Sequence, residues 1–161
     1  MNRRCRALCV VFVVAIATCK LRAQTVQVIN ADGHSTTVTA AQIANLPHVS
    51  LEVSDHDNPA KFEGVPLSAV LSGAGIPLGD TLRGPRLAEV LLVSASDGYH
   101  VAFALAEVDP AFAVREIILA DKRDGKALGP KEGPYRIVAP GDKRPARWIR
   151  QVTELKVMAV Q

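Results

Sequence analysis

The sequence predicts a mixed α+β domain, rich in short strands and carrying a few short helices. Three observations lead there. Short β-rich runs recur along the chain, at residues 25–30, 48–55, 87–94 and 151–160. Turn dipeptides separate several runs, namely Asp32-Gly33, Asp97-Gly98 and Asp124-Gly125. Helical spacing is confined to short stretches, of which Leu67, Val70, Leu71 and Ala74 form the clearest. No repeat, low-complexity stretch or linker divides the chain, so a single domain is expected.

The elements follow in order. Residues 25–30 alternate around Val26, Val28 and Ile29, and residues 35–39 return as a second strand after the Asp32-Gly33 turn. Thr39-Ala40-Ala41-Gln42 fits a capping box, so a short helix runs to Asn45, and Pro47 stops it. Residues 48–55 place Val49, Leu51 and Val53 on one face of a half-buried strand, and residues 55–61 read as a polar loop. Phe62-Glu63-Gly64-Val65 leads to Pro66, a suitable first residue for a helix that Gly75 caps. Residues 76–86, interrupted by glycine and proline, read as an irregular connection. Residues 87–94 and 99–103 form a hairpin, with one of Tyr99 and His100 facing the core. Residues 105–108 form a helical turn before Asp109-Pro110. Ile117-Ile118-Leu119-Ala120 is continuously apolar, hence a buried strand, and Asp124-Gly125 turns the chain after it. Residues 135–139 and 151–160 complete the set. Val152, Leu155, Val157 and Val160 break strict alternation, which calls for a β-bulge or a frayed end.

Residues 1–23 read as a secretory signal peptide. Arg3, Arg4 and Arg6 precede an apolar run at 7–18 that is too short to span a bilayer comfortably, and Ala23 offers a small residue for cleavage. The expected domain is 24–161, periplasmic or secreted. Two variants stay open: Ile16-Ala17-Thr18-Cys19 resembles a lipoprotein box with attachment at Cys19, and Arg3-Arg4 hints at twin-arginine export. Removing this leader removes five of the 19 basic residues and none of the 16 acidic ones, which leaves a formal charge of −2. That balance gives a nucleic-acid partner no support. All three cysteines, Cys5, Cys9 and Cys19, lie in the leader, so the domain holds together by packing alone.

Charge is uneven within the domain. Residues 115–156 hold 11 basic and six acidic side chains. Within them, Tyr135-Arg136-Ile137-Val138-Ala139 reads as a buried strand, followed by the Pro140-Gly141 turn. Lys143, Arg144 and Arg147 come next, closed by Trp148, the only tryptophan. A cationic, backbone-rich loop beside a core strand suits an anion such as a phosphate, and a solvated face is the competing reading. Asp55-His56-Asp57 suggests a metal or acid–base cluster. Adjacent residues at a strand end point different ways, so a solvated loop at the mouth of a pocket is the preferred reading. Hydrolase, phosphate-loop and dinucleotide fingerprints are absent, and the low aromatic content argues against a stacking platform for single-stranded nucleic acid.

An ordered set of pieces resembles the sulfite-oxidase-like molybdopterin-binding domain family. They are Phe62-Glu63-Gly64-Val65-Pro66-Leu67, Ser96-Asp97-Gly98-Tyr99, Leu105-Ala106-Glu107-Val108-Asp109-Pro110, Leu119-Ala120-Asp121 with Asp124-Gly125-Lys126-Ala127-Leu128, Gly133-Pro134-Tyr135-Arg136-Ile137-Val138, and Arg147-Trp148. The resemblance implies that family's α+β fold, in the form of its short exported members. It also implies a molybdopterin cofactor whose phosphate faces a basic residue. Arg147 matches that position, and Arg136, Lys143 and Arg144 lie close enough in sequence to join it. In the family a cysteine thiolate at the end of an upstream strand binds molybdenum. Val53 or Ser54 stands at that place here.

Three functions are compatible with these readings. One is a binding module that holds a pterin or another anionic small molecule through the basic loop, without molybdenum–thiolate chemistry. Another is a molybdenum-cofactor-dependent oxidoreductase. The third is a cofactor-free scaffold or interaction domain serving a membrane redox partner.

Overall fold

The computed structural model describes residues 24–160, and the expected leader with its two variants lies outside them. Among the described residues the elements run β1 (Thr25–Ile29), β2 (Ser35–Thr39), α1 (Ala40–Ala44), β3 (Val49–Asp55), β4 (Asn58–Pro66), α2 (Leu67–Gly73), β5 (Glu89–Ala95), β6 (His100–Ala104), α3 (Leu105–Val108), β7 (Ile118–Arg123), β8 (Lys126–Ala127), β9 (Arg136–Val138) and β10 (Val152–Ala159). They build the mixed, strand-rich α+β domain that the sequence predicts.

Two sheets share the work. The first has the order β2-β1-β10-β5-β6, in which β1 and β10 run parallel and the other pairs antiparallel. The second runs β3-β4-β7, with β8 and β9 pairing successive parts of the far edge of β7. The segment around β9 joins the sheets, because Val152 N–H donates to Tyr135 C=O at 2.9 Å and Ile137 N–H to Ile149 C=O at 2.8 Å. One apolar cluster draws Val26, Val28 and Leu155 from the first sheet, Phe62, Leu119 and Ile137 from the second, and Leu67 and Leu71 from α2.

Local sequence accounts for most of these elements. Val26 and Val28 enter the core because period-two alternation puts both on one face. The capping box forms at α1: Gln42 N–H donates to Thr39 Oγ1 at 3.3 Å, and Thr39 N–H donates to Gln42 Oε1 at 2.8 Å. Ile118, Leu119 and Ala120 are all buried, as a strand covered on both faces requires. The bulge in β10 falls between Val152 and Glu154.

Three local readings need correction. Residues 55–61 are not a polar loop. His56 and Asp57 make a tight turn at φ 52° and 65°, and β4 begins at Asn58 with Ala60 and Phe62 facing inward. Polar neighbours on the outer face masked that alternation. Pro66 is the last residue of β4 and the cap of α2, so the helix proper starts at Leu67. Neither Tyr99 nor His100 faces the core, because Tyr99 still belongs to the turn and the inward positions of the edge strand β6 are Val101 and Phe103.

Gly64 shows why this strand leads into its helix through a glycine. It pairs with Ala120 of β7, and a Cβ there would collide with the Leu119 carbonyl and the Ala120 Cα. Backbone cannot yield as a side chain can, so Gly64→Ala is expected to lower stability by about 1–3 kcal/mol. Urea unfolding of the two proteins measures it, and an unchanged midpoint would refute the close-approach account.

Candidate functional site

The site is built around the tip of the β3–β4 hairpin. The hairpin projects Asp55 inward, where it is almost wholly buried beside the equally buried Arg136 of β9. Arg136 Nη1 donates to Asp55 Oδ2 at 3.3 Å and to Glu132 Oε1 at 2.9 Å. Arg123 Nη1 adds a second donor to Asp55 Oδ2 at 3.1 Å. His56 Nδ1 lies 2.9 Å from the other oxygen, Oδ1. The Arg136 guanidinium sits 4.8 Å from the Phe62 ring centre and 5.9 Å from that of Trp148, and the two rings meet edge to face. Trp148 is anchored in turn by Nε1–H donating to Ala139 C=O at 2.9 Å.

Burial alone would raise the Asp55 carboxyl. The His56 contact and the charges of Arg136 and Arg123 outweigh it and hold the group below its ordinary range. Burial draws Arg136 downward, opposed by Asp55 and Glu132. The Arg136 Nε–H is buried without a partner, so the cluster is tight but not fully satisfied.

Two clefts open over this cluster. The first, of about 770 Å³, runs between the strand end Glu52-Val53-Ser54 and the loop carrying Lys143 and Arg144, with His56, Asp57 and Trp148 also on its walls. The second, of about 380 Å³, is lined by Lys131, Arg136, Arg150, Asp97, Tyr99 and Gln151 among others. His56, Pro145, Ala146 and Trp148 line both, so the two share a wall.

The four basic residues singled out from sequence occupy three environments. Lys143 and Arg144 are exposed on the first cleft and have no ion-pair partner among the described residues. Arg136 forms part of the floor of the second, with its charge committed to Asp55 and Glu132. Arg147 turns away to a separate depression beside α3. Its Nη2 donates to Asp142 at 2.6 Å and its Nη1 to Glu107 at 3.2 Å, and its guanidinium stacks 4.4 Å from the Phe103 ring centre. The hydrogen bond to Asp142 raises its pKa further.

The sequence reading does not pick out Lys131 and Arg150 as ligand contacts, places His56 in a solvated loop at the mouth of a pocket, and expects one of Tyr99 and His100 to face the core. The first two belong to the basic excess at 115–156, and that excess was the available signal. Tyr99 is half-exposed on the second cleft, and its hydroxyl donates to Ala146 C=O at 3.3 Å.

A molybdenum–thiolate centre does not fit these residues. Val53 and Ser54, the positions that the resemblance assigns to the thiolate, line the cleft, and residues 24–160 contain no cysteine. Among the described residues no group of three or more His, Cys, Asp or Glu is placed to hold a metal ion. An anionic ligand fits better, because Lys143, Arg144, Lys131 and Arg150 offer solvent-exposed cations around one shared wall.

Comparison with known proteins gives a consistent picture. The family model described as the oxidoreductase molybdopterin binding domain matches residues 25–161. Among solved structures the chain is similar to the crystal structure of the sulfane dehydrogenase SoxCD from Paracoccus pantotrophus. The TM-score is 0.64 and the sequence identity 17%, over 85% of this chain and 38% of that one. The chain thus spans well under half of that protein, and the likeness is one of fold. No curated protein matches.

The buried cluster makes a testable claim about acid stability. A carboxyl held low in the folded state stabilises the protein above about pH 4, and that contribution is lost as pH falls through the folded value. Asp55→Asn leaves Arg136 buried with a weaker partner, so a loss of about 3 kcal/mol at neutral pH is expected. The variant is also expected to show a shallower decline on acidification than the wild type. Urea unfolding at neutral pH and near pH 3 measures both, and parallel acid profiles would remove Asp55 as the source.

Proposed function

The chain belongs to the oxidoreductase molybdopterin-binding domain family, and from that premise we propose that it binds a pterin or another anionic small molecule without molybdenum–thiolate chemistry. One observation carries the reading: Lys143 and Arg144 face the strand end Val53-Ser54 across the larger cleft. In this reading Lys143 and Arg144 supply the cations opposite the strand end that the resemblance assigns to the thiolate, where no sulfur is present, while Arg147 lies outside the cleft. Lys131 and Arg150 extend the positive lining into the second cleft. Such a site positions an anion by charge-assisted hydrogen bonds, and it supplies no soft ligand for a metal. The protein acts outside the cytoplasm in this reading, after loss of residues 1–23.

A second reading, a cofactor-free interaction domain for a redox partner, also draws on a specific observation. Arg136 and Arg147 spend their charge on the chain's own carboxylates.

Metal and pterin analysis separates these readings when the protein is purified from a host that makes the molybdenum cofactor. Pterin without stoichiometric molybdenum is the expected result, and Lys143→Ala/Arg144→Ala is expected to retain much less of it. Molybdenum equal to the chain concentration would restore the oxidoreductase reading. Neither pterin nor metal, together with no anion binding, would leave the interaction domain. Trp148 is the only tryptophan and lines both clefts, so its fluorescence reports ligand binding directly.

A further inference from the structure

The anion site contains a feature that simple charge attraction does not need. His56 is the one titratable residue common to both clefts. It stands at φ 52° and is followed by Asp57 at φ 65°, a tight turn for which Asn-Gly is the least strained pair. The side chain is two-thirds exposed, yet its orientation is fixed from below. Asp55 Oδ2 is occupied by Arg123 and Arg136, and Oδ1 is left for the ring. An ionised carboxylate only accepts, so Nδ1 must be the donor and carry the hydrogen. The neutral ring then presents a bare lone pair at Nε2, and Nε2 has no partner among the described residues.

The other charged groups make that lone pair distinctive. Lys143, Arg144, Lys131 and Arg150 donate and never accept, so they attract any oxyanion of a given charge alike. Glu52, Asp57, Asp97 and Asp142 can accept, but they repel a dianion. Asp142 is already paired with Arg147, and one oxygen of Asp97 accepts from Tyr99 N–H. A neutral imidazole accepts a hydrogen bond without that repulsion.

Resting on the anion-site reading above, we infer that His56 Nε2 recognises an acidic hydroxyl on the bound anion, so that the site selects phosphate-type groups still carrying a proton over fully ionised oxyanions. The ligand class is a phosphate or phosphonate bearing one hydroxyl. At this site His56 works as the specificity-determining residue and the cations as the source of affinity.

Inorganic phosphate and sulfate are suitable probes. At about pH 8.5 both ions are dianions. Phosphate retains one hydroxyl there, whereas sulfate has none. Trp148 fluorescence titrations at constant ionic strength should show phosphate binding about 5- to 10-fold more tightly, the worth of one hydrogen bond that only phosphate makes. In His56→Gly, which suits the left-handed turn, the ratio should fall to about one even if both affinities change. A urea midpoint for the variant verifies that it is folded. No preference in the wild type, or a preference that survives in His56→Gly, overturns the inference while the anion site stands. Binding of neither ion overturns the anion site and this inference with it.

Discussion

The buried pairing of Asp55 with Arg136 is the constraint on which the rest of the site depends. It joins residues 81 positions apart in the chain and fastens the tip of the β3–β4 hairpin to β9, the strand that bridges the two sheets. From that fastening the cleft floor follows. Arg136 lies against the Phe62 and Trp148 rings, Trp148 is held against Ala139, and the loop of Lys143 and Arg144 is set opposite the end of β3. His56 is aimed by the same carboxylate that anchors the guanidinium.

A pair so deep has a different energetic meaning from the ion pairs on the surface. Lys122–Glu63 at 4.0 Å is exposed and screened, and contributes little either way. Asp55 and Arg136 have lost nearly all contact with water, so each is tolerable only because the other is present. Glu132, Arg123 and the two aromatic faces reduce the remaining cost. Such an arrangement is stiff rather than strongly stabilising. Stiffness is what a recognition site needs, because a ligand then meets groups already in place.

The fold was largely legible in the sequence because its signals are local. Alternation gave β1 and β3, the apolar run gave β7, Thr39 and Gln42 gave the start of α1, and the broken alternation of the last strand gave its bulge. The site was less legible because its determinants are pairings between distant residues. A guanidinium looks equally available at every arginine in the sequence. Only the fold shows that Arg136 meets Asp55 and that Arg147 meets Glu107, 40 positions upstream. The hairpin tip was hidden for a related reason. A tight turn without glycine, flanked by polar residues, has the composition of a loop, and tertiary pairing overrides it.

The same contrast bears on what family resemblance can say about chemistry. The pieces that carry the resemblance have structural duties of their own. Gly64 lets two strands approach, Trp148 closes the core beside β9, and Arg136 holds the hairpin. Each would be needed to build this fold whether or not a cofactor entered it. Function is therefore better judged from groups that the fold does not require. Lys143 and Arg144 remain exposed without a structural partner among the described residues, Val53 offers no metal ligand, and His56 accepts a strained turn conformation at a cleft wall. In the proposed reading, those residues keep a place for an anion and add a means of reading the anion's proton.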